Sequence, residues 1–83
     1  MKNAVVGPVR PLSVIAEEIG ANWPKPNYAA APYLEAMGSL NSINENYFCD
    51  SGKSIVLYFL SNASSWKGDV ARRIKAELKA MVK

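Results

Sequence analysis

The tripeptide Gly52-Lys53-Ser54 comes closest to a known chemistry in this sequence, because it matches the end of a phosphate-binding P-loop. The complete motif has another glycine five residues before Gly52, and Tyr47 occupies that position. A P-loop also follows a buried strand, whereas the residues before Tyr47 are rich in asparagine. We therefore expect no nucleotide site and interpret the tripeptide as the start of a buried helix.

The sequence contains few residues that could support acid–base, metal or thiol chemistry. The chain has no histidine and one cysteine, Cys49, so neither an intramolecular disulfide nor the usual zinc ligand sets can form. We interpret Cys49, beside Phe48, as a small buried hydrophobe and not as a nucleophile. The seven acidic residues are scattered, and the adjacent Glu17 and Glu18 diverge by about 100° on a helix. We predict no catalytic, cofactor-binding or metal-binding residues, and therefore no enzyme.

The basic residues near the C-terminus do show an ordered spacing. Four of them step by three, four and four residues: Arg72, Lys75, Lys79 and Lys83. On a helix this spacing forms one stripe, about 80° wide and roughly opposite the apolar face. A solvated surface is the ordinary interpretation of such a stripe. The alternative is a contact surface for nucleic acid or an acidic protein partner, which the net charge of +3 and the pI of about 9.2 permit.

The composition is that of one small globular domain. The chain has 83 residues, of which 49% are hydrophobic and 20% charged, and a chain of this length folds alone with little margin. Its longest apolar run has six residues, far short of the roughly 20 that a membrane-spanning helix needs. The N-terminus also lacks the long apolar segment of a signal peptide. We therefore expect a cytoplasmic protein with no membrane partner.

The spacing of the apolar residues predicts four helices, near residues 12–22, 28–39, 51–62 and 65–82. The side chains expected to cap their first turns are Ser13, Asn27, Asp50 or Ser51, and Ser64 or Ser65. Residues 1–11 contain one glycine and two prolines without a helical period, and they predict a flexible arm. Because Pro32 is comfortable only in a first turn, the regular part of the second helix is expected to begin near Ala31.

Residues 47–60 admit two interpretations. In the first, a helix over residues 51–62 carries apolar side chains in every direction, which is typical of a central, surrounded helix. In the second, the segments NYFC and SIVLYFL are strands joined by a DSGK turn. Periodicity does not separate the two, but we favour the helix because the other segments are helical and isolated hairpins are marginally stable. The preceding loop is expected to be anchored by Ile43, Tyr47 and Phe48.

Together these elements predict an all-α fold, a small single-domain bundle of four helices around the central apolar helix. The predicted domain covers residues 12–83 and follows the arm of residues 1–11. Core packing is our interpretation of most of the aromatic residues. Tyr28 is the aromatic residue that this interpretation explains least.

The run from Tyr33 to Lys79 resembles a group of small uncharacterised proteins encoded in bacterial phages and mobile elements. The matching features are the PYL, AM and SL cluster, the Asp50-Ser51-Gly52 turn, the SIVLYFLSNAS run, and Trp66 followed by ARRIKAELK. The likeness covers residues 12–80. It implies a bacterial or phage source and an accessory role, and it transfers no activity to any residue.

These observations predict a small non-enzymatic cytoplasmic interaction module, an accessory protein of a phage or mobile element that binds another protein or itself. The alternative is a non-specific nucleic-acid-binding protein that uses the basic face of the C-terminal helix. Neither function needs a cofactor, and we expect no small-molecule substrate.

Overall fold

Four helices and one short β-hairpin make up the computed structural model, which describes residues 9–83. In chain order they are α1 (Leu12–Asn22), α2 (Ala31–Met37), β1 (Asn46–Tyr47), β2 (Asp50–Ser51), α3 (Gly52–Asn62) and α4 (Asp69–Met81). The four predicted helices are confirmed, but the all-α prediction needs a correction because a two-stranded antiparallel sheet is present. Of the predicted N-terminal arm, residues 1–8 lie outside the described residues.

The first helix begins without a side-chain cap. Pro11 takes the N-cap position. The N–H of Leu12 donates to the carbonyl oxygen of Asn41 at 3.2 Å, and the N–H of Ser13 donates to that of Leu40 at 2.8 Å. The predicted cap by Ser13 is therefore wrong, since the loop after α2 satisfies groups that a cap would serve. The apolar spacing is confirmed, because the buried residues of α1 are Leu12, Ile15, Ala16 and Ile19.

The second helix is shorter than predicted, and Pro32 explains where it begins. Pro32 lies in the first turn, so the regular helix starts at Ala31. Residues 28–30 form a turn instead. The side chain of Asn27 does not cap α2, because it donates to the carbonyl oxygen of Asn62 at 3.1 Å. This bond ties the start of the turn to the end of α3.

The two strands form a hairpin whose turn is Phe48-Cys49. The paired residues are Asn46 with Ser51 and Tyr47 with Asp50. The strands stop before the apolar run, so the alternative hairpin with a DSGK turn is wrong. Phe48 has a φ of 57° and is 87% exposed, and Cys49 is also exposed. The predicted burial of Cys49 and the predicted anchoring by Phe48 are both corrected, because the tight turn holds these side chains outside the core.

The start of α3 accounts for the Gly-Lys-Ser tripeptide without a phosphate. Its N–H groups donate to Glu45 O (from Gly52, 2.6 Å), Ile43 O (from Lys53, 3.1 Å) and Ser51 Oγ (from Ser54, 3.1 Å). A P-loop turns such backbone N–H groups toward phosphate, but here all three are bonded within the protein. Of the two residues predicted to cap this helix, Asp50 and Ser51, Ser51 takes the N-cap position.

One face of α3 is buried and the other is open. Ile55, Val56 and Phe59 are at most 2% exposed, whereas Leu57 is 44% and Tyr58 50% exposed. α3 packs on α2, α4 and the end of the hairpin, and these elements cover one side of it. The expectation of a helix surrounded on every side is therefore wrong for the face that carries Leu57 and Tyr58.

The fourth helix begins later than predicted, at Asp69 and not at residue 65. Gly68, immediately before it, has a φ of 112°, in the region that favours glycine. Neither predicted serine, Ser64 or Ser65, caps α4, because both precede this break. The apolar spacing within the helix is confirmed, since Ile74 and Leu78 are fully buried.

Trp66 lies in the loop before α4 and belongs to the core. It is 4% exposed. Its ring stacks on that of Trp23, with centroids 5.5 Å apart and planes 9° from parallel, and Trp23 meets Phe59 edge-on at 6.3 Å. The interpretation of the aromatic residues as core is confirmed for Trp66, although Trp66 precedes α4 and does not lie within the predicted helix of residues 65–82.

Gly52 has no room for a side chain, and this predicts a destabilising substitution. A Cβ at this position would lie 2.7 Å from the carbonyl oxygen of Ser42 and 2.8 Å from Cα of Ile43. Because both are backbone atoms, we expect Gly52→Ala to lower the free energy of unfolding by about 1–3 kcal/mol. Gly20→Ala is the control: a Cβ there meets no atom within 4 Å, and alanine should stabilise α1 by up to about 1 kcal/mol. Urea denaturation of both variants measures the difference, and effects of the same sign would contradict the close contact at Gly52.

The two faces of α3 predict different responses to truncation. Phe59 is fully buried, so Phe59→Ala should lower the free energy of unfolding by about 3–5 kcal/mol. Leu57 is 44% exposed, so Leu57→Ala should cost about 1 kcal/mol or less. Thermal and chemical denaturation compare the two variants. A Leu57→Ala variant as unstable as Phe59→Ala would show that Leu57 lies inside the core.

Candidate interaction surfaces

An ionic network joins Arg10, which precedes α1, to side chains of α1 and α4. Arg10 donates two hydrogen bonds to the carboxylate of Glu77, from Nε to Oε2 at 2.9 Å and from Nη2 to Oε1 at 2.7 Å. Its Nη1 atom also lies 2.8 Å from Oε1 of Glu18. Arg73 donates to the other oxygen of Glu18. The network balances two arginines with two glutamates and turns Arg73 away from the predicted basic stripe.

Glu18 is the carboxylate that both arginines share. Its Oε1 atom is buried and accepts no hydrogen bond, so the contact with Arg10 is an ion pair. Its Oε2 atom accepts from Arg73. Arg73 first, and Arg10 second, lower the pKa of Glu18 below its ordinary value. The folded protein therefore favours the ionised form of Glu18, which holds Arg10 against α1.

Three residues of the predicted basic stripe lie on one side of α4, whereas Lys83 follows the end of the helix at Met81, and the four differ in their surroundings. Arg72 forms an ion pair with Asp69 at 3.1 Å, and both side chains are exposed. Lys75 is half-buried, because its Nζ atom donates to the carbonyl oxygen of Trp66 at 2.6 Å and lies 5.9 Å from the centre of the indole ring. Lys75 thus borders the apolar face, which corrects the expectation that the whole stripe lies opposite it. The two remaining residues, Lys79 and Lys83, are exposed.

A fifth basic residue, Lys67, joins the stripe from the loop. With Arg72 and Lys75, it lines a groove of about 290 Å³ beside Trp66. Burial first, and then the charges of Lys79 and Lys67, lower the pKa of Lys75. A helix that began at residue 65 would have placed Lys67 on its apolar side, so periodicity alone does not group Lys67 with the stripe. The basic flank is the set Lys67, Arg72, Lys75, Lys79 and Lys83.

α3 presents a second, uncharged surface. Leu57 and Tyr58 are both about half exposed. Viewed down the helix axis, Ser54 and Ser61 lie between these two side chains, on the same side of α3. The ring of Tyr58 lies 5.4 Å from that of Tyr33, so α2 borders the surface. The sequence prediction missed it, although a six-residue apolar run exceeds what one helix face can bury. The α3 surface is the set Ser54, Leu57, Tyr58 and Ser61.

Within residues 9–83, few side chains suited to chemistry come together. No three histidine, cysteine, aspartate or glutamate side chains in this range lie close enough to hold a metal ion. A groove of about 540 Å³ between α1 and α2 has one charged side chain in its lining, that of Glu17. None of the helices in the described part of the chain has both the length and the apolar character that a membrane span requires.

The lowered pKa of Glu18 predicts how stability responds to acid. Because the folded protein keeps this carboxylate ionised to a lower pH than the unfolded chain does, its contribution is complete above the ordinary pKa of 4.5. The contribution is lost as the pH falls toward the lowered pKa. We expect Glu18→Gln to lose less thermal stability than the parent between about pH 6 and pH 3. The matched control is Glu17→Gln, the exposed neighbour, which should respond as the parent does. The same acid response in all three proteins would contradict the role of Glu18.

Comparison with protein-family models, with curated proteins and with solved structures found no match for this chain. The resemblance to phage-encoded proteins therefore stays a prediction. The basic flank and the α3 surface are the two features from which a function can be inferred.

Proposed function

We propose that this protein is a small non-enzymatic interaction module that binds a second copy of itself through the α3 surface. The observation that carries the proposal is the exposure of Leu57 and Tyr58 on a helix whose opposite face is buried. Large apolar side chains exposed on the same side of a helix are typical of contact surfaces. Tyrosine is also among the residues enriched at protein interfaces.

The distribution of charge favours a second copy as the occupant. The chain has a net charge of +3, so two copies repel each other unless they meet through a surface with little charge. The α3 surface contains only two serines, a leucine and a tyrosine. The basic flank is on a different helix, α4, and is not needed for this contact.

An antiparallel arrangement of two α3 helices also suits the electrostatics of the helix ends. Leu57 is the middle residue of α3, so a two-fold axis beside it brings the Leu57 and Tyr58 side chains of both copies together. The same axis places Lys53 of each copy near the C-terminal end of the other α3, where the helix dipole is negative. In a single chain, Lys53 lies in the first turn of α3, where the dipole disfavours a cation.

The contact is small, and we therefore expect a weak dimer. Standard interfaces bury about 800 Å² on each partner, and one face of an 11-residue helix offers less than that. A dissociation constant between about 10 μM and 1 mM follows, which corresponds to about 4–7 kcal/mol.

An accessory role in the cytoplasm, in a phage or a mobile element, is part of the proposal. Its support is the resemblance of residues 12–80 to proteins that phages and mobile elements encode. The dimer does not depend on this role and is tested without reference to it.

Sedimentation equilibrium between about 10 μM and 1 mM chain tests the self-association. We expect the mean mass to rise from one chain toward two in the parent. The rise should disappear in Leu57→Gln, because an unpaired amide at the centre of the contact would have to be desolvated. The matched control is Val14→Gln on α1, since Val14 is apolar and 42% exposed, close to the 44% of Leu57.

Two outcomes would contradict the proposal. One is a parent that stays monomeric over the whole concentration range. The other is a Val14→Gln variant that dissociates as Leu57→Gln does, which would separate the self-association from the α3 surface.

A further inference from the structure

We infer that the basic flank binds the phosphodiester backbone of nucleic acid and recognises its charge, not its sequence. The flank combines the loop residue Lys67, three basic residues of α4 and Lys83 after its end, and it is separate from the α3 surface. This binding is additional to the proposed self-association, and it is tested independently of it.

The lysines of the flank have no acidic partner in the part of the chain that the structure describes. Between residues 9 and 83, the ion pairs all engage arginines. Asp69 is the acid beside the flank, and its partner Arg72 is 78% exposed. Exposed pairs of this kind are weak, so a phosphate can replace the carboxylate of Asp69 on Arg72.

The core holds one of these cations in place. Trp66 is buried against Trp23, and its carbonyl oxygen accepts a hydrogen bond from Nζ of Lys75 at 2.6 Å. An ammonium group has three N–H donors, so Lys75 keeps donors for a ligand. Burial first, and then repulsion by the positive charges of Lys79 and Lys67, lowers the pKa of Lys75. A bound anion offsets that repulsion and gains from a group that is already positioned.

The shape of the flank favours a strand of phosphates over a single anion. The three flank residues of α4, from Arg72 to Lys79, span about 10 Å of the helix, and Lys67 and Lys83 extend the flank past its two ends. A single phosphate would contact one end only. A nucleic-acid backbone offers a regular series of charges along this length.

The flank has few side chains with which to read bases, since Arg72 is its only guanidinium group. The ring of Trp66 is 4% exposed and is already stacked, so it does not stack on a base. α4 contains no asparagine or glutamine, the residues that pair with adenine edges. Phosphate contacts position a protein on nucleic acid without selecting a sequence. Binding should therefore be similar for duplexes of unrelated sequence.

Fluorescence anisotropy with a labelled duplex of about 20 base pairs measures the salt dependence of binding. Five phosphate contacts, one for each residue of the basic flank, predict that log affinity falls with log salt at a slope of about −4.5, or about −0.9 per contact. Between 50 and 200 mM salt the affinity should fall roughly 500-fold. The double variant Lys67→Gln/Lys79→Gln should flatten the slope by about 1.8. Both side chains are exposed, so the fold should persist, which circular dichroism verifies.

The matched control is Lys25→Gln, which removes one charge from an exposed lysine outside the flank and is compared with the single flank variant Lys79→Gln. All variants are made in the Leu57→Gln background, so that self-association does not enter the measurement. The control should keep the slope of its parent, whereas Lys79→Gln should flatten it by about 0.9. No binding at about 50 μM protein in 50 mM salt, or equal flattening by Lys25→Gln and Lys79→Gln, would overturn the inference. Equal affinity for poly-glutamate would assign the flank to acidic polypeptides and overturn it as well.

Discussion

The close contact of Gly52 with the loop at Ser42 and Ile43 is the constraint on which the position of α3 depends. The two backbones approach so closely that a Cβ would lie 2.7 Å from a carbonyl oxygen. The second strand of the hairpin ends at Ser51, and Ser51 also caps α3. The hairpin therefore fixes the direction in which α3 begins. That direction places Phe59 in the core and leaves Leu57 outside. The α3 surface is thus a consequence of a backbone contact at the start of the helix.

Trp66 connects the hydrophobic core to the basic flank beside α4. Its ring completes an aromatic cluster with Trp23 and Phe59, while its carbonyl oxygen binds the ammonium group of Lys75. Because the loop must carry Trp66 into the core, it also carries Lys67 to the edge of α4. Apolar packing therefore brings the basic flank together, although the proposed ligand would recognise only its charge.

α4 has two charged flanks of different character. On one, arginines pair with glutamates in a network that reaches from Arg10 to Glu77. The planar guanidinium group suits such multiple contacts with carboxylates. On the other flank, lysines predominate, and the described part of the chain brings no carboxylate to them. One helix thus fastens the N-terminal side of the fold with one flank and presents a positive surface with the other.

Local patterns in the chain account for the elements whose causes lie within a few residues. The 3.6-residue spacing located all four helices, Pro32 predicted the start of α2, and Asp50 and Ser51 predicted the start of α3, because periodicity and capping act within a few residues. The order of Arg72, Lys75 and Lys79 on α4 followed from the same spacing. The missing motif glycine at Tyr47 likewise argued against a nucleotide site.

Long-range packing, by contrast, selects which side of the six-residue apolar run is covered. Such a run points in every direction, so the packing of α2 and α4 selects the buried face and leaves Leu57 exposed. The start of α4 was decided in the same way, because the burial of Trp66 against Trp23 is a long-range contact that no local pattern contains. Lys67 joined the basic flank for this reason. Contacts between residues distant in sequence placed both candidate surfaces, since local spacing gives only the direction of a side chain and not what lies beside it.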